Sequence, residues 1–429
     1  MSEGSKGRRV LFWGITWNIF IAGIVSFFMD VSSEMAYAVG PLFLTALGAT
    51  PEILGLVEGI AEGTAALFKF LAGGIADRIQ RYRPLVTLGY LISALSRPIM
   101  AVAPTWHVFL TGRIVDRFGK GVRTAPRDAI LAASAERKSY GKSFGFHRAM
   151  DQSGAIVGPL LASGVLFALA AGVTPGLRDF RIVIWLALIP GLIAATATFF
   201  LVETGKRKAA AESAAQPEPH HGVDEAQEPK PETKVPEDEL EGDTVRYWYF
   251  LAVMFVFSIG NSSNAFLILR SKDLGMAEKI IPIAYAMMNV VYVAASIPWG
   301  VWADRIGFRR VILVGFAVFS VVYFLIGAAT QAWMMWALFA AYGLFESAFE
   351  GQSRAYLARL AKTHLRGTSF GLYHMLLALT VFPASFIAGL LYKNVSPSWA
   401  FWYGAIAAAA AFVMLAAEPL MFRGQRPQA

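Results

Sequence analysis

Gly300-Val301-Trp302-Ala303-Asp304-Arg305-Ile306-Gly307-Phe308-Arg309-Arg310 follows one apolar run, and Gly73-Gly74-Ile75-Ala76-Asp77-Arg78 follows another, with Asp304 lying 227 residues after Asp77. A second pair repeats at nearly the same offset. Gly141-Lys142-Ser143-Phe144-Gly145 matches Gly367-Thr368-Ser369-Phe370-Gly371, 226 residues on. Near the start of each half, Ser32-Ser33-Glu34 matches Ser262-Ser263-Asn264. One unit therefore occurs twice along the chain. Two halves in the same orientation imply a parallel repeat, with a site at their interface near the middle of a bilayer.

The setting of the repeats is apolar. Of 429 residues, 56% are hydrophobic and 16% charged, with a mean hydropathy of +0.51, where a soluble domain carries about 25% charge. Reading apolar runs of roughly 20 residues as spans gives about twelve. They cover 11–38, 53–76, 85–103, 107–126, 143–171 and 180–202, then 247–269, 280–303, 310–330, 332–357, 368–392 and 398–421. The expectation is an all-α membrane protein of two pseudo-symmetric six-helix bundles, residues 1–203 and 246–429. Between them, residues 204–245 hold five basic residues against eleven acidic ones and are rich in Ala and Pro. Such a stretch buries too little apolar surface to order itself and reads as a flexible linker.

The formal charge of +8 does not indicate a nucleic-acid partner, because the basic residues fall in short loops beside the spans. They cluster at one set of ends, at Lys6/Arg8/Arg9, Arg78/Arg81/Arg83, Arg137/Lys138/Lys142, Lys206/Arg207/Lys208, Arg305/Arg309/Arg310, Arg359/Lys362/Arg366 and Arg423/Arg426, with Arg178, Arg181, Arg270 and Lys272 as exceptions. That asymmetry puts both termini in the cytoplasm. The membrane expected is the bacterial cytoplasmic membrane or one derived from it. There is no cysteine, which excludes disulfides and thiolate chemistry.

Charge inside the spans is the second signal. Between Gly112 and Pro159 lie Arg113, Asp116, Arg117, Lys120, Arg123, Arg127, Asp128, Arg148 and Asp151. Ionisable groups at membrane depth must face protein or a wet cavity and find partners there, so this stretch reads as a gate. Three carboxylate pairs stand four residues apart: Asp30/Glu34, Glu58/Glu62 and Glu346/Glu350. On a helix each pair shares one face. Two such groups in low dielectric cannot both stay ionised cheaply, so they are candidates for proton coupling or cation binding, together with Arg113 and Asp151. The alternative is structural pairing, with Lys69 beyond Glu62 and Arg354 beyond Glu350. Asp77 and Asp304, at helix ends, can meet the positive end of another helix. With Arg78, Arg305, Arg309 and Arg310, and with Asp116, Arg117, Arg123, Arg127 and Asp128, they form the expected gating latch.

The Gly-x-x-x-Asp-Arg-x-Gly-x-Arg-Arg signature, intact at Gly300–Arg310, resembles that of the major facilitator superfamily over nearly the whole chain. In the first half Gln80 replaces the glycine and Tyr82 a basic residue. The resemblance implies the major facilitator fold and transport across a membrane. Gly154-x-x-x-Gly158-Pro159 looks like the family's fifth-span exporter motif, though Gly-x-x-x-Gly is also a general packing device. Asp30–Met35 and Gly119–Asp128 look like a bacterial efflux branch, and Arg113 resembles a fourth-span arginine tied to proton handling.

No Gly-x-x-x-x-Gly-Lys-Ser/Thr string is present, so an ion gradient is the expected energy source. The leading expectation is proton-coupled export of a small solute by a monomer, with no cofactor and no enzymatic activity. The expected cargo cavity combines Ser32 and Ser33 with Asn261, Ser262, Ser263, Asn264 and Asn289. Histidines 107, 147 and 374 and methionines 29, 35, 287 and 288 keep open an iron-type divalent cation or a metal chelate as cargo. A non-transporting receptor or scaffold is the third alternative.

Overall fold

The computed structural model describes residues 10–12, 15–79, 81–134, 140–170, 173–203, 243–361 and 366–422. The linker expected at 204–245 lies almost wholly outside the described residues. Among them the structure is helical, apart from a short antiparallel pair, β1 (Val10–Phe12) and β2 (Ile15–Thr16). The first half contains α1 (Trp17–Ala46), α2 (Pro51–Ile79), α3 (Tyr82–Ala101), α4 (Trp106–Ser134), α5 (Tyr140–Leu169), α6 (Leu177–Leu186) and α7 (Leu188–Ala197). The second contains α8 (Thr244–Gly260), α9 (Ala265–Asp273), α10 (Ile281–Ile306), α11 (Phe308–Ala328), α12 (Met334–Leu360), α13 (Arg366–Asn394) and α14 (Pro397–Met421). Helices α6 and α7 together form one crossing, as do α8 and α9.

Eight stretches are long and apolar enough to cross a membrane by length and composition. The long helices outside that set are α2, α4, α10 and α12. Three of these hold most of the buried acids and arginines, which lowers their hydropathy without shortening them. Their charges are covered by protein rather than by lipid, which is how such helices persist at membrane depth.

Three spans differ from their expected limits. The first begins at Trp17 and runs through Pro41 to Ala46, because the sequence stays apolar past the proline. The fourth continues through Pro126 to Ser134. The seventh is broken: Asn261 leaves the helical region at φ −88°, ψ 86°, and the helix resumes only at Ala265. Asn and Ser side chains compete with the backbone for hydrogen bonds, and four of them in a row end the helix there.

Gly307, between α10 and α11, has φ +93°. This backbone region admits glycine without strain, which explains the glycine of the repeated signature at this turn. Arg309, two residues on, donates to the Leu415 and Ala416 carbonyls and pairs with Glu418 at 3.0 Å. The first half repeats the device. Arg83 donates to the Phe199 carbonyl at 2.7 Å, and Glu203 accepts from the Tyr82 and Arg83 amides.

The halves meet where α2 crosses α13, and backbone approach there is very close. A Cβ on Gly59 would stand 2.9 Å from Phe382 Cα, and one on Gly389 would stand 2.7 Å from Glu52 Cα. Lys393 pairs with Glu52 across the same seam. One turn further along α2, Gly63 has open space around it. The two helices are therefore sealed at one end and splay toward the other. Gly389→Val should hold the sealed end open. The check is faster labelling, by a membrane-impermeant maleimide in vesicles, of a single cysteine placed at Ser263 in this cysteine-free chain.

Candidate functional site

Close helix contacts position the charges. In α5, a Cβ on Gly154 would lie 2.9 Å from Asp30 Cβ, and one on Gly158 would lie 3.0 Å from Glu34 Cβ. The Gly-x-x-x-Gly pair thus packs α5 directly onto the acidic face of α1. As a result Asp151, one turn before Gly154, stands beside Asp30 in the wall of one cavity. Two carboxyl groups held side by side away from bulk water cannot both stay ionised cheaply.

Glycines also bring α3 and α4 together. A Cβ on Gly89 would meet the Gly119 carbonyl at 2.7 Å, and one on Gly119 would meet Ser93 N at 2.8 Å. Between these helices sits Arg97, fully buried at 0% exposure. It pairs with Asp116 at 3.1 Å and donates to Ser32 Oγ and Ser33 Oγ, both at 3.1 Å. Asp116 also faces Arg113 at 3.9 Å and Arg117 at 3.6 Å. Arg113 binds both oxygens of Glu58, at 2.9 and 2.7 Å, and Arg117 pairs with Glu62 at 2.9 Å. Two rows four residues apart, on α2 and α4, are thereby interlocked. Arg123 donates to Ser93 Oγ and lies 4.5 Å over the Tyr90 ring.

This arrangement revises several expectations. Glu58 and Glu62 do not act on each other as a bare acidic pair, because each has its own arginine. Ser32 and Ser33 face Arg97 within the first half rather than the cargo space. Asp116, Arg117 and Arg123, expected in the gating latch, are buried inside that half. Arg127 pairs with its neighbour Asp128 at 2.9 Å. Of the remaining latch residues, Arg305 and Arg310 are exposed and Arg309 ties α11 to α14. The side chains of Asp77, Arg78 and Asp304 lie outside the described residues.

Between the halves is a cavity of about 430 Å³, walled by α1, α4 and α5 on one side and by the broken seventh span, α10 and α12 on the other. It collects Asp30, Glu34 and Asp151 with Lys120 from the first half, and Glu346 and Glu350 from the second. Asn261, Asn264 and Asn289 line it as expected. Ser262 and Ser263 do not. Ser262 is buried within the second half, whereas Ser263 crosses to Tyr37 at 3.1 Å and Glu58 at 3.5 Å.

Arg148 crosses the cavity. It pairs with Asp151 on its own helix at 3.3 Å and with Glu350 of α12 at 2.9 Å, and it donates to the Tyr292 hydroxyl at 2.9 Å. Tyr292 in turn donates to Glu350 at 2.6 Å, and Arg354 also pairs with Glu350. Among the ties across the halves, Glu52–Lys393 lies at the sealed end and Arg148–Glu350 in the cavity wall.

Arg97 escaped the reading of the sequence, although a lone arginine inside the apolar run 85–103 is a signal of the kind that marks buried function. The aromatic wall of Tyr285, Tyr292, Tyr342, Phe345 and Phe349 was also missed, since aromatics in spans are too common to single out. As for a metal cargo, no group of three or more His, Asp or Glu side chains among the described residues is arranged to hold an ion. His147 accepts or donates a 2.8 Å hydrogen bond with Ser26 in a packed setting.

Twelve crossings in two repeated halves around a charged central cavity define a membrane transporter rather than an enzyme. The family model "Major Facilitator Superfamily" matches residues 20–259 and 248–427, and the chain belongs to that family. An uncharacterized MFS-type transporter of Methanocaldococcus jannaschii is 32% identical over 397 residues, covering 91% of this chain and 92% of that one. The multidrug resistance protein MdtH of Cronobacter sakazakii is 28% identical over 134 residues, covering 30% of this chain and 33% of its own. Among solved structures, a POT family transporter in complex with 5-aminolevulinic acid superimposes with a TM-score of 0.75 at 11% identity, covering both chains fully.

Arg97→Met should remove the chief partner of a buried carboxylate. Breaking a buried pair costs about 3–5 kcal/mol, so thermal unfolding in detergent should show a clearly lowered midpoint. Adding Asp116→Asn to that variant should recover part of the loss.

Proposed function

We propose that this chain is a proton-coupled secondary transporter that exports a small solute by alternating access. The observation that carries the reading is the Asp30–Asp151 pair, brought together in the cavity wall where α5 packs on α1 and flanked by Arg148. Such a pair holds one proton and gives it up when a neighbouring cation moves, which is the property a coupling site needs. Arg148 is that neighbour, and it also bridges to Glu350 in the other half. Loss of the shared proton leaves two charges on Asp30 and Asp151, strengthens their hold on Arg148, and weakens its tie to Glu350. Proton release and separation of the halves at that end are thereby linked.

The buried Arg97–Asp116–Arg113–Glu58 network holds the first half as one body, and the close α2–α13 seam forms one of two alternately opening ends. Export is favoured by the partial likeness to MdtH, whose name assigns it to multidrug resistance, and by Gly154-x-x-x-Gly158-Pro159. The distribution of Lys and Arg supports cytoplasmic termini in a bacterial cytoplasmic membrane, with the monomer as the working unit and residues 204–245 joining two six-helix domains.

Purified protein in proteoliposomes with an internal pH-sensitive dye provides the test, using a panel of small organic cations, zwitterions and neutral solutes. Asp30→Asn and Asp151→Asn should each abolish proton movement coupled to solute while leaving solute exchange intact. Full coupling in both variants would sink the reading.

A further inference from the structure

Charge in the cavity is unevenly compensated. Glu350 has Arg148, Arg354 and the Tyr292 hydroxyl. Asp151 has Arg148 and Asp30. Glu346, one turn before Glu350, has only the neutral Asn264 amide at 3.2 Å, and no lysine or arginine among the described residues reaches ion-pair distance. Across the cavity, Glu34 Oε2 is buried without a hydrogen-bond partner, and Tyr285 lines the same space. A carboxylate taken out of water with one neutral partner is under-satisfied. It is a standing vacancy for a positive charge.

What surrounds Glu346 narrows the chemistry. Tyr342, Phe345, Glu346 and Phe349 share one face of α12, spaced three or four residues apart, and all line the cavity. The Tyr342–Phe345 and Phe345–Phe349 ring centroids are each 5.4 Å apart. Tyr285 and Tyr292 continue the wall on α10. Aromatic faces beside a carboxylate attract a cation through the ring quadrupole while packing its apolar body. An anion would meet five carboxylates against two cations, Lys120 on the first-half side beside Asp30 and Glu34, and Arg148, which is committed to Asp151, Glu350 and Tyr292.

Resting on the transport reading above, we infer that the cargo is an aromatic or bulky apolar organic cation, with Glu346 as its counter-ion and Asn264 positioning that carboxylate. Asn264 sits at the break in the seventh span. A cation arriving at Glu346 therefore loosens a contact that belongs to the hinge-like segment, and occupancy of the cavity is felt by the helix that must move.

The probes are tetraphenylphosphonium and tetraphenylborate, which share a shape and carry opposite charge. Binding to the full chain in detergent is measured by equilibrium dialysis. Tetraphenylphosphonium should bind saturably, and tetraphenylborate, measured in a separate dialysis, should not. Glu346→Gln should weaken it at least tenfold, and Glu346→Asp, which keeps the charge, should restore most of the affinity. Absence of saturable binding overturns the inference. So does saturable binding of the borate at comparable affinity in its own dialysis, or a loss under tenfold in a Glu346→Gln protein that elutes as a folded species. If proteoliposomes instead couple proton movement to anionic or neutral solutes, transport stands and the cationic cargo falls. If no solute moves protons at all, the failure lies with the transport reading.

Discussion

A guanidinium removed from water persists only where carboxylates and hydroxyls enclose it, and that requirement organises the first half of this protein. Arg97 cannot be accommodated by any single neighbour. Asp116, Ser32 and Ser33, from two different helices, are held around it. Asp116 then draws in Arg113 and Arg117, and these draw in Glu58 and Glu62. The chain of demand crosses α1, α2, α3 and α4. Apolar packing between such helices is nearly as favourable with lipid as with protein, so van der Waals fit at the glycines and the polar network decide which faces meet.

The second half is organised differently. Its interior is dominated by aromatics, with Phe257, Phe316, Phe319, Tyr323, Phe345 and Phe349 forming a continuous set of ring contacts. Charged contacts are fewer and lie at its margins, at Glu350 and at Arg309–Glu418. The two repeats therefore share a topology while differing in chemistry. One supplies a charged scaffold and the Asp30–Asp151 pair, the other an aromatic wall with Glu346 and Glu350. Their contrast is what gives the cavity two unlike sides.

Much of the architecture was legible because membrane thickness sets helix length and the repeat sets symmetry. Span counts follow from the apolar runs even where a helix carries charge, as α4 does. What failed was orientation around the helix axis. Glu58 and Glu62 share a face in any helix, but whether that face meets another acid or Arg113 and Arg117 depends on the partner helix, which periodicity does not specify. Ser32 and Ser33 were placed in the cavity for the same reason and instead turn toward Arg97. The break at Asn261–Asn264 was hidden by the apolar residues on either side, which average out four polar positions. Asn264, Asn289, Asp30 and Glu346 were recovered because polar groups at mid-span have few destinations other than the central cavity.

Gly154 and Gly158 carry a mechanical consequence. With α5 backbone lying directly on α1, there is no layer of side chains between the two helices to slide or repack. Rotation of one must drag the other, so Asp30 and Asp151 travel as neighbours through every position the half can occupy. Any give during the working cycle has to be taken up elsewhere, and the unwound four-residue stretch at Asn261–Asn264 is where the backbone is already free to bend.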